Sequence, residues 1–180
     1  MRRLAGPALL LGLTVGCERL DPAPAAGVPV SAPGAEGREA FPAPAFSLPD
    51  LAGGEVALGD LRGRPLVIDF WATWCAPCER QVPVLNGFHA KHGDRIPVLG
   101  ISVDADANAV SPFAAQHEIR YRVLLGDEGL ARDYGARGFP TLFVVRPDGS
   151  IHSAHVGVVS PEALEAAVAE WTGTARGAGS

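Results

Sequence analysis

Two kinds of apolar pattern alternate along this chain from Phe46 onward. RPLVIDFW and IPVLGISV are short runs of consecutive apolar residues, and they read as strands buried on both faces. Between them Val82, Leu85 and Phe88 recur at helical spacing and predict a helix from about Ala76 to His92. Pro77 suits its first turn, where a missing N–H costs little, and Pro83 in its interior should kink it. ANAVSPFAAQHE predicts a second helix, YRVLLGD a strand, and EGLARDYG a short helix closed by Gly135. FPTLFVVRPDGSIHSAHVG reads as a hairpin turning at PDG, and FSLPDLAGGEVALGDL as two short strands about Gly53 and Gly54. SPEALEAAVAEWTG predicts one C-terminal helix with Ser160 as N-cap and Pro161 in its first position. Strand and helix units in alternation imply an α/β fold, a mixed sheet covered on both faces.

Composition narrows this without changing it. The 180 residues are 47% hydrophobic and 19% charged, enough for one soluble domain. A net charge of −5 gives a nucleic-acid partner no electrostatic support. No apolar run reaches 18 residues, so no transmembrane helix is predicted.

The first residues read as an address instead. MRR is a positive start, LAGPALLLGLTVG a short apolar run, and together they predict a signal peptide over residues 1–16. LTVGC resembles a bacterial lipobox, in which the chain is cut before the cysteine and Cys17 is acylated. Leu13 stands one position earlier than the commonest pattern. Two or more acyl chains would anchor the protein stably to a membrane. Residues 18–45 are rich in Pro, Ala and Gly and predict an extended tether. The expected organisation is a signal peptide over 1–16, a lipidated Cys17 with its linker over 17–41, a folded domain over 42–173 and a flexible tail over 174–180. The expected product is a monomeric, membrane-anchored protein facing the periplasm.

Lipidation of Cys17 would leave one even pair, Cys75 and Cys78, in an oxidising compartment. Haem attachment needs His after the second cysteine, and Glu79 stands there. Structural zinc needs four ligands. His152 and His155 should face opposite ways on a strand, and His89 and His92 share a helix face that reads as solvated. No metal and no cofactor are therefore expected. A bridge closing so small a loop would constrain little of the unfolded chain. Redox exchange fits best. At a helix N-terminus, partial positive charge stabilises a thiolate, making Cys75 the exposed attacker and Cys78 the buried resolving thiol. Ala76 and Pro77 add no charge to over-stabilise that thiolate, which favours a mild, reducing couple. Asp69, in an apolar run six residues before Cys75, reads as a buried carboxyl with a raised pKa.

VIDFWATWCAPC followed by GFPTLFVV resembles thioredoxin-fold proteins. With the lipobox, the tether, the segment from FPAPAFSLPD onward and an inserted βα unit near residues 96–118, the chain is similar to the TlpA/ResA group of membrane-anchored bacterial thiol–disulfide oxidoreductases. The likeness covers about residues 42–172. It implies a thioredoxin-like fold with an N-terminal β-hairpin extension. It also implies Cys75 as nucleophile, Cys78 as resolving thiol, and Trp74 and Pro77 as shapers of the site. Pro140 would be a cis-proline beside the disulfide, and Phe139 would offer backbone groups to an extended substrate. The implied partners are a disulfide-containing protein, such as apocytochrome c before haem attachment, and a membrane thiol electron donor. Two positions depart from the group. Gln81 stands where Glu is common, and Asp69 where Asn is common, the latter as in thioredoxin itself. Proton handling would then be thioredoxin-like, with cytochrome c biogenesis less firmly implied.

Two rival functions share this fold. A copper- or haem-handling module would space its cysteines by three residues and add a later His. A peroxidase would carry Thr three residues before its active cysteine, where Ala72 stands.

Overall fold

The computed structural model describes residues 41–104 and 106–173. The expected signal peptide, Cys17, most of the linker and the tail lie outside the described residues. A five-stranded sheet forms the centre, in the order β5-β4-β3-β6-β7. Its strands are β3 (Leu66–Trp71), β4 (Val98–Ser102), β5 (Arg122–Leu125), β6 (Thr141–Val145) and β7 (Ile151–Val156). β3, β4 and β5 run parallel, and β6 and β7 join antiparallel, so the sheet is mixed. An antiparallel pair, β1 (Ser47–Pro49) and β2 (Glu55–Ala57), precedes it.

Every residue of β3 is buried, as a continuous apolar run demands of a central strand. Leu66, Ile68 and Phe70 pack on one face, which α3 (Glu128–Asp133) and the segment around β1 and β2 cover. Phe70, Tyr134 and Phe143 form an aromatic triangle there, with ring centroids 5.1, 5.9 and 5.4 Å apart. Val67, Asp69 and Trp71 face the other way. Val67 packs with Leu85 and Phe88 of α1 (Ala76–His92) and with Leu164 and Val168 near the C-terminus. Trp71 stacks on Phe113 of α2 (Ala107–Gln116), at 4.9 Å between centroids.

Three expectations are corrected. Residues 42–45 fall within both the tether and the folded domain expected above; the fold holds them, and Phe41 as well. The Ala43 N–H donates to the Gly149 carbonyl and the Ile151 N–H to the Phe41 carbonyl, each at 2.9 Å, and the Tyr134 hydroxyl donates to the Pro44 carbonyl. Pro and Ala bury little surface, but their backbone can still pair with a hairpin edge. The single C-terminal helix is instead two, α4 (Pro161–Ala167) and α5 (Ala169–Thr172). Fully buried Val168 leaves helical geometry between them, with φ −113° and ψ 7°, and its N–H reaches back only three residues to Glu165. The Ser160 cap and Pro161 start are as expected. The face of His89 and His92 is not solvated throughout. His92 is buried because α4 crosses it, and its Nε2 lies 3.0 and 3.1 Å from the two carboxylate oxygens of Glu165.

Candidate redox site

The site forms where β3 ends and α1 begins. Cys75 is the N-cap of α1, in extended geometry, and Pro77 lies in the first turn as expected. Cys75 and Cys78 form a disulfide with their Cα atoms 5.3 Å apart. Cys75 was expected to be exposed. It keeps only 5% of its surface against 2% for Cys78, because both join the main apolar cluster. The order of access is the expected one, but the difference is small. The helix's partial positive end still falls on Cys75 rather than on Cys78, one turn in.

Trp74 projects from the same turn and is 65% exposed. Its ring meets Phe139 edge-on, 5.8 Å between centroids. The Phe139–Pro140 peptide bond is cis. Fully buried Thr141 donates its hydroxyl to the Gly138 carbonyl and holds the loop from the other side. The structure thus joins Trp74 to Phe139 and leads Pro140 directly into β6.

Asp69 lies between Gly100 and Leu142 in the sheet, on the face that α1 covers. It is 1% exposed, and its Oδ1 has no hydrogen-bond partner among the described residues. Burial alone pushes its pKa well above the ordinary carboxylate value, as its apolar setting predicted. Neighbouring Gly100 makes room. A methyl group there would stand 2.7 Å from the Tyr121 ring and 3.0 Å from the indole nitrogen of Trp71. Tyr121 titrates well above its usual range, first through burial and then through the Asp69 charge.

Three supports escape a sequence reading. Asp104 grips the cysteine turn, accepting from the Thr73 N–H at 2.8 Å and from the Thr73 hydroxyl at 2.9 Å. The Ser102 hydroxyl donates to the same carboxylate at 2.7 Å. Tyr121 joins Asp69 only because β5 lies beside β4. Gln81 is 1% exposed and accepts from the Val159 N–H at 2.8 Å. None carries a local signal, since each partner is about 30 or more residues away in sequence apart from Ser102. Among the described residues no group of three His, Cys, Asp or Glu gathers to hold a metal, and no helix is long and apolar enough to cross a membrane.

A disulfide at a helix N-terminus, on a turn whose Trp74 meets the residue before a cis-proline, together with a buried carboxyl in the strand that leads into that turn, defines a thioredoxin-fold thiol–disulfide oxidoreductase. The chain belongs to the AhpC/TSA family, whose model matches residues 40–154. Among curated proteins it is 29% identical to the thioredoxin-like protein YneN of Bacillus subtilis, over 71% of this chain and 77% of that one. It is 32% identical to the thiol-disulfide oxidoreductase ResA of Bacillus anthracis, over 68% of this chain and 72% of that one. Among solved structures, one from Chlorobium tepidum, assigned as a thiol:disulfide interchange protein DsbE, superposes with a TM-score of 0.68 at 33% identity. It covers 74% of this chain and 96% of that one. The resemblance to the TlpA/ResA group read from the sequence agrees with these relatives.

Proposed function

We propose that the protein reduces disulfides in exported proteins, from a membrane to which acylated Cys17 fastens it. The Cys75–Cys78 disulfide at the start of α1, on a turn whose Trp74 meets Phe139, carries this reading. In the reduced state the Cys75 thiolate attacks one sulfur of a substrate disulfide. A mixed disulfide forms, and the other substrate sulfur leaves as a thiolate and takes up a proton. Cys78 then gives its proton to Asp69 and attacks Cys75 Sγ. The internal disulfide forms, and the second substrate sulfur leaves and is protonated. Two electrons have passed to the substrate. A membrane thiol donor reverses these steps to restore the dithiol. Trp74 and Pro77 shape the approach, and Phe139 offers backbone groups to an extended chain. Apocytochrome c is one candidate substrate, implied by the resemblance to the TlpA/ResA group, and Asp69 and Gln81, which depart from that group, weigh against it.

Insulin reduction tests the chemistry. Cys75→Ser should abolish it, and Cys78→Ser should accumulate mixed disulfides whose partners name the substrate. The reverse pattern overturns the assignment of attacker. A midpoint potential near that of thioredoxin, about −270 mV, fits a reductant, whereas one near −120 mV would make the protein an oxidant. Mass spectrometry of the membrane fraction should find an acyl group on Cys17, and its absence removes the anchor.

A further inference from the structure

Gln81 stands three residues after Cys78 on the same helix, with its side chain turned into the protein. Its Oε1 accepts the Val159 N–H at 2.8 Å, across 78 residues of sequence. Val159 is itself buried and ends the short segment that follows β7. At the other end of that segment the Gly157 N–H donates to the Pro140 carbonyl at 2.8 Å. Gly157 has φ +88°, a left-handed turn that suits glycine. Residues 157–159 are therefore tied at one end to the cis-proline loop and at the other to the helix that carries both cysteines.

The same segment is unusually apolar on its outside. Among the described residues only four large hydrophobics are exposed: Phe41, Trp74, Val156 and Val158. Val156 pairs with Thr141, the residue after Pro140, and Val158 follows Gly157. Three of the four thus stand on chain segments bonded to the cysteine turn or to Pro140. An extended peptide docking at the disulfide would lie along them.

We infer that Gln81 is a positioning residue: its hydrogen bond to Val159 fixes the Val156–Val159 wall relative to the cysteine helix, and so governs how a protein disulfide is seated. The inference rests on the reading above that the substrate is a protein. An acceptor is what the site requires of residue 81. Without one, the buried Val159 N–H has no partner, and the segment is held only at its Gly157 end. The reacting sulfurs are untouched by the change. The effect should therefore fall on binding of a peptide chain and spare a small disulfide that needs no wall.

The test uses the full chain with Gln81→Leu, Gln81→Met and Gln81→Glu beside the wild type. Each is assayed for insulin reduction with dithiothreitol as donor, for exchange with dithiobis(nitrobenzoate), and for thermal midpoint. Gln81→Leu and Gln81→Met should raise KM for insulin by about threefold to tenfold, the range of one net hydrogen bond. Their kcat and their small-disulfide rates should stay within about twofold of wild type. Gln81→Glu, which keeps an acceptor, should bring KM back toward wild type. An unchanged KM, or equal losses on insulin and the small disulfide, overturns the inference. So does failure of both apolar variants to fold, since that gives Gln81 a role in stability alone. A wild type active on the small disulfide but inert on insulin overturns the protein-substrate reading itself, and is distinguishable from all of these.

Discussion

The two faces of the central sheet are built by opposite rules. Beneath Leu66, Ile68 and Phe70 lies an aromatic cluster with Tyr134 and Phe143, and the buried polar groups there are paired: the Thr141 hydroxyl bonds the Gly138 carbonyl, and the Tyr134 hydroxyl the Pro44 carbonyl. Beneath Val67, Asp69 and Trp71, burial leaves polar atoms without partners: Asp69 Oδ1, Trp71 Nε1, Gln81 Nε2 and His92 Nδ1. An unpaired buried polar atom costs stability. The face that bears these costs is the one beneath the cysteine helix. The contrast teaches that the first face holds the fold with its buried polar groups paired, while the second carries unpaired ones, Asp69 among them, beneath the helix that begins at the disulfide.

The contrast breaks most severely on the aromatic face. Phe70→Ala should cost about 3–5 kcal/mol and lower the melting temperature by on the order of 10 °C, while folded molecules keep wild-type exchange rates. Calorimetry beside insulin reduction checks both halves, and a specific loss of chemistry would erase the division. At the rim, Asp104→Ala removes three hydrogen bonds to a carboxylate and frees the cysteine turn at Thr73. A loss of about 1.5–3 kcal/mol is expected by denaturant unfolding, together with slower exchange.

Asp69→Asn sharpens the comparison instead. The folded pKa of Asp69 lies above its unfolded value of 3.8, so the folded state holds the proton longer. Its contribution to stability is complete below that value and is lost as pH rises toward the folded pKa. The Asn variant should therefore be neutral or stabilising near pH 7, and its melting temperature should lack this decline. Exchange should slow by about tenfold to a hundredfold near pH 7, with the deficit shrinking as pH rises and Cys78 loses its proton unaided. Rates equal to wild type from pH 5.5 to 9 would make Asp69 structural. The smallest effect is expected from Tyr121→Phe. Burial and Asp69 hold this hydroxyl neutral, so it supplies no charge. Stability should move by less than about 1 kcal/mol and the pH profile should keep its shape. A profile like that of Asp69→Asn would place Tyr121 on the proton's route.

Much of this molecule was legible along the chain. Apolar runs marked β3 and β4, and α1 begins and ends where helical spacing placed it, at Ala76 and His92. Cys75, Cys78 and the burial of Asp69 follow from residues close together in sequence. Pro140 was read through resemblance and is cis. The burial of Cys75 is not legible along the chain, because helix position says nothing of what packs over it. Nor is that of His92, because a helix face looks solvated until another helix crosses it.

The sequence by itself determined the elements, the redox pair and the buried acid, because each depends on local periodicity, on capping or on the hydrophobicity of neighbouring positions. Only the tertiary structure decided which distant groups meet them. Asp104 holds Thr73 because β4 lies beside β3, Tyr121 leans over Gly100 toward Asp69 because β5 lies beside β4, and Gln81 bonds Val159 because the chain returns past Pro140. A polar group lacking a local partner is satisfied by whatever packing brings within about 3 Å, and that distance is set by the topology of the whole sheet.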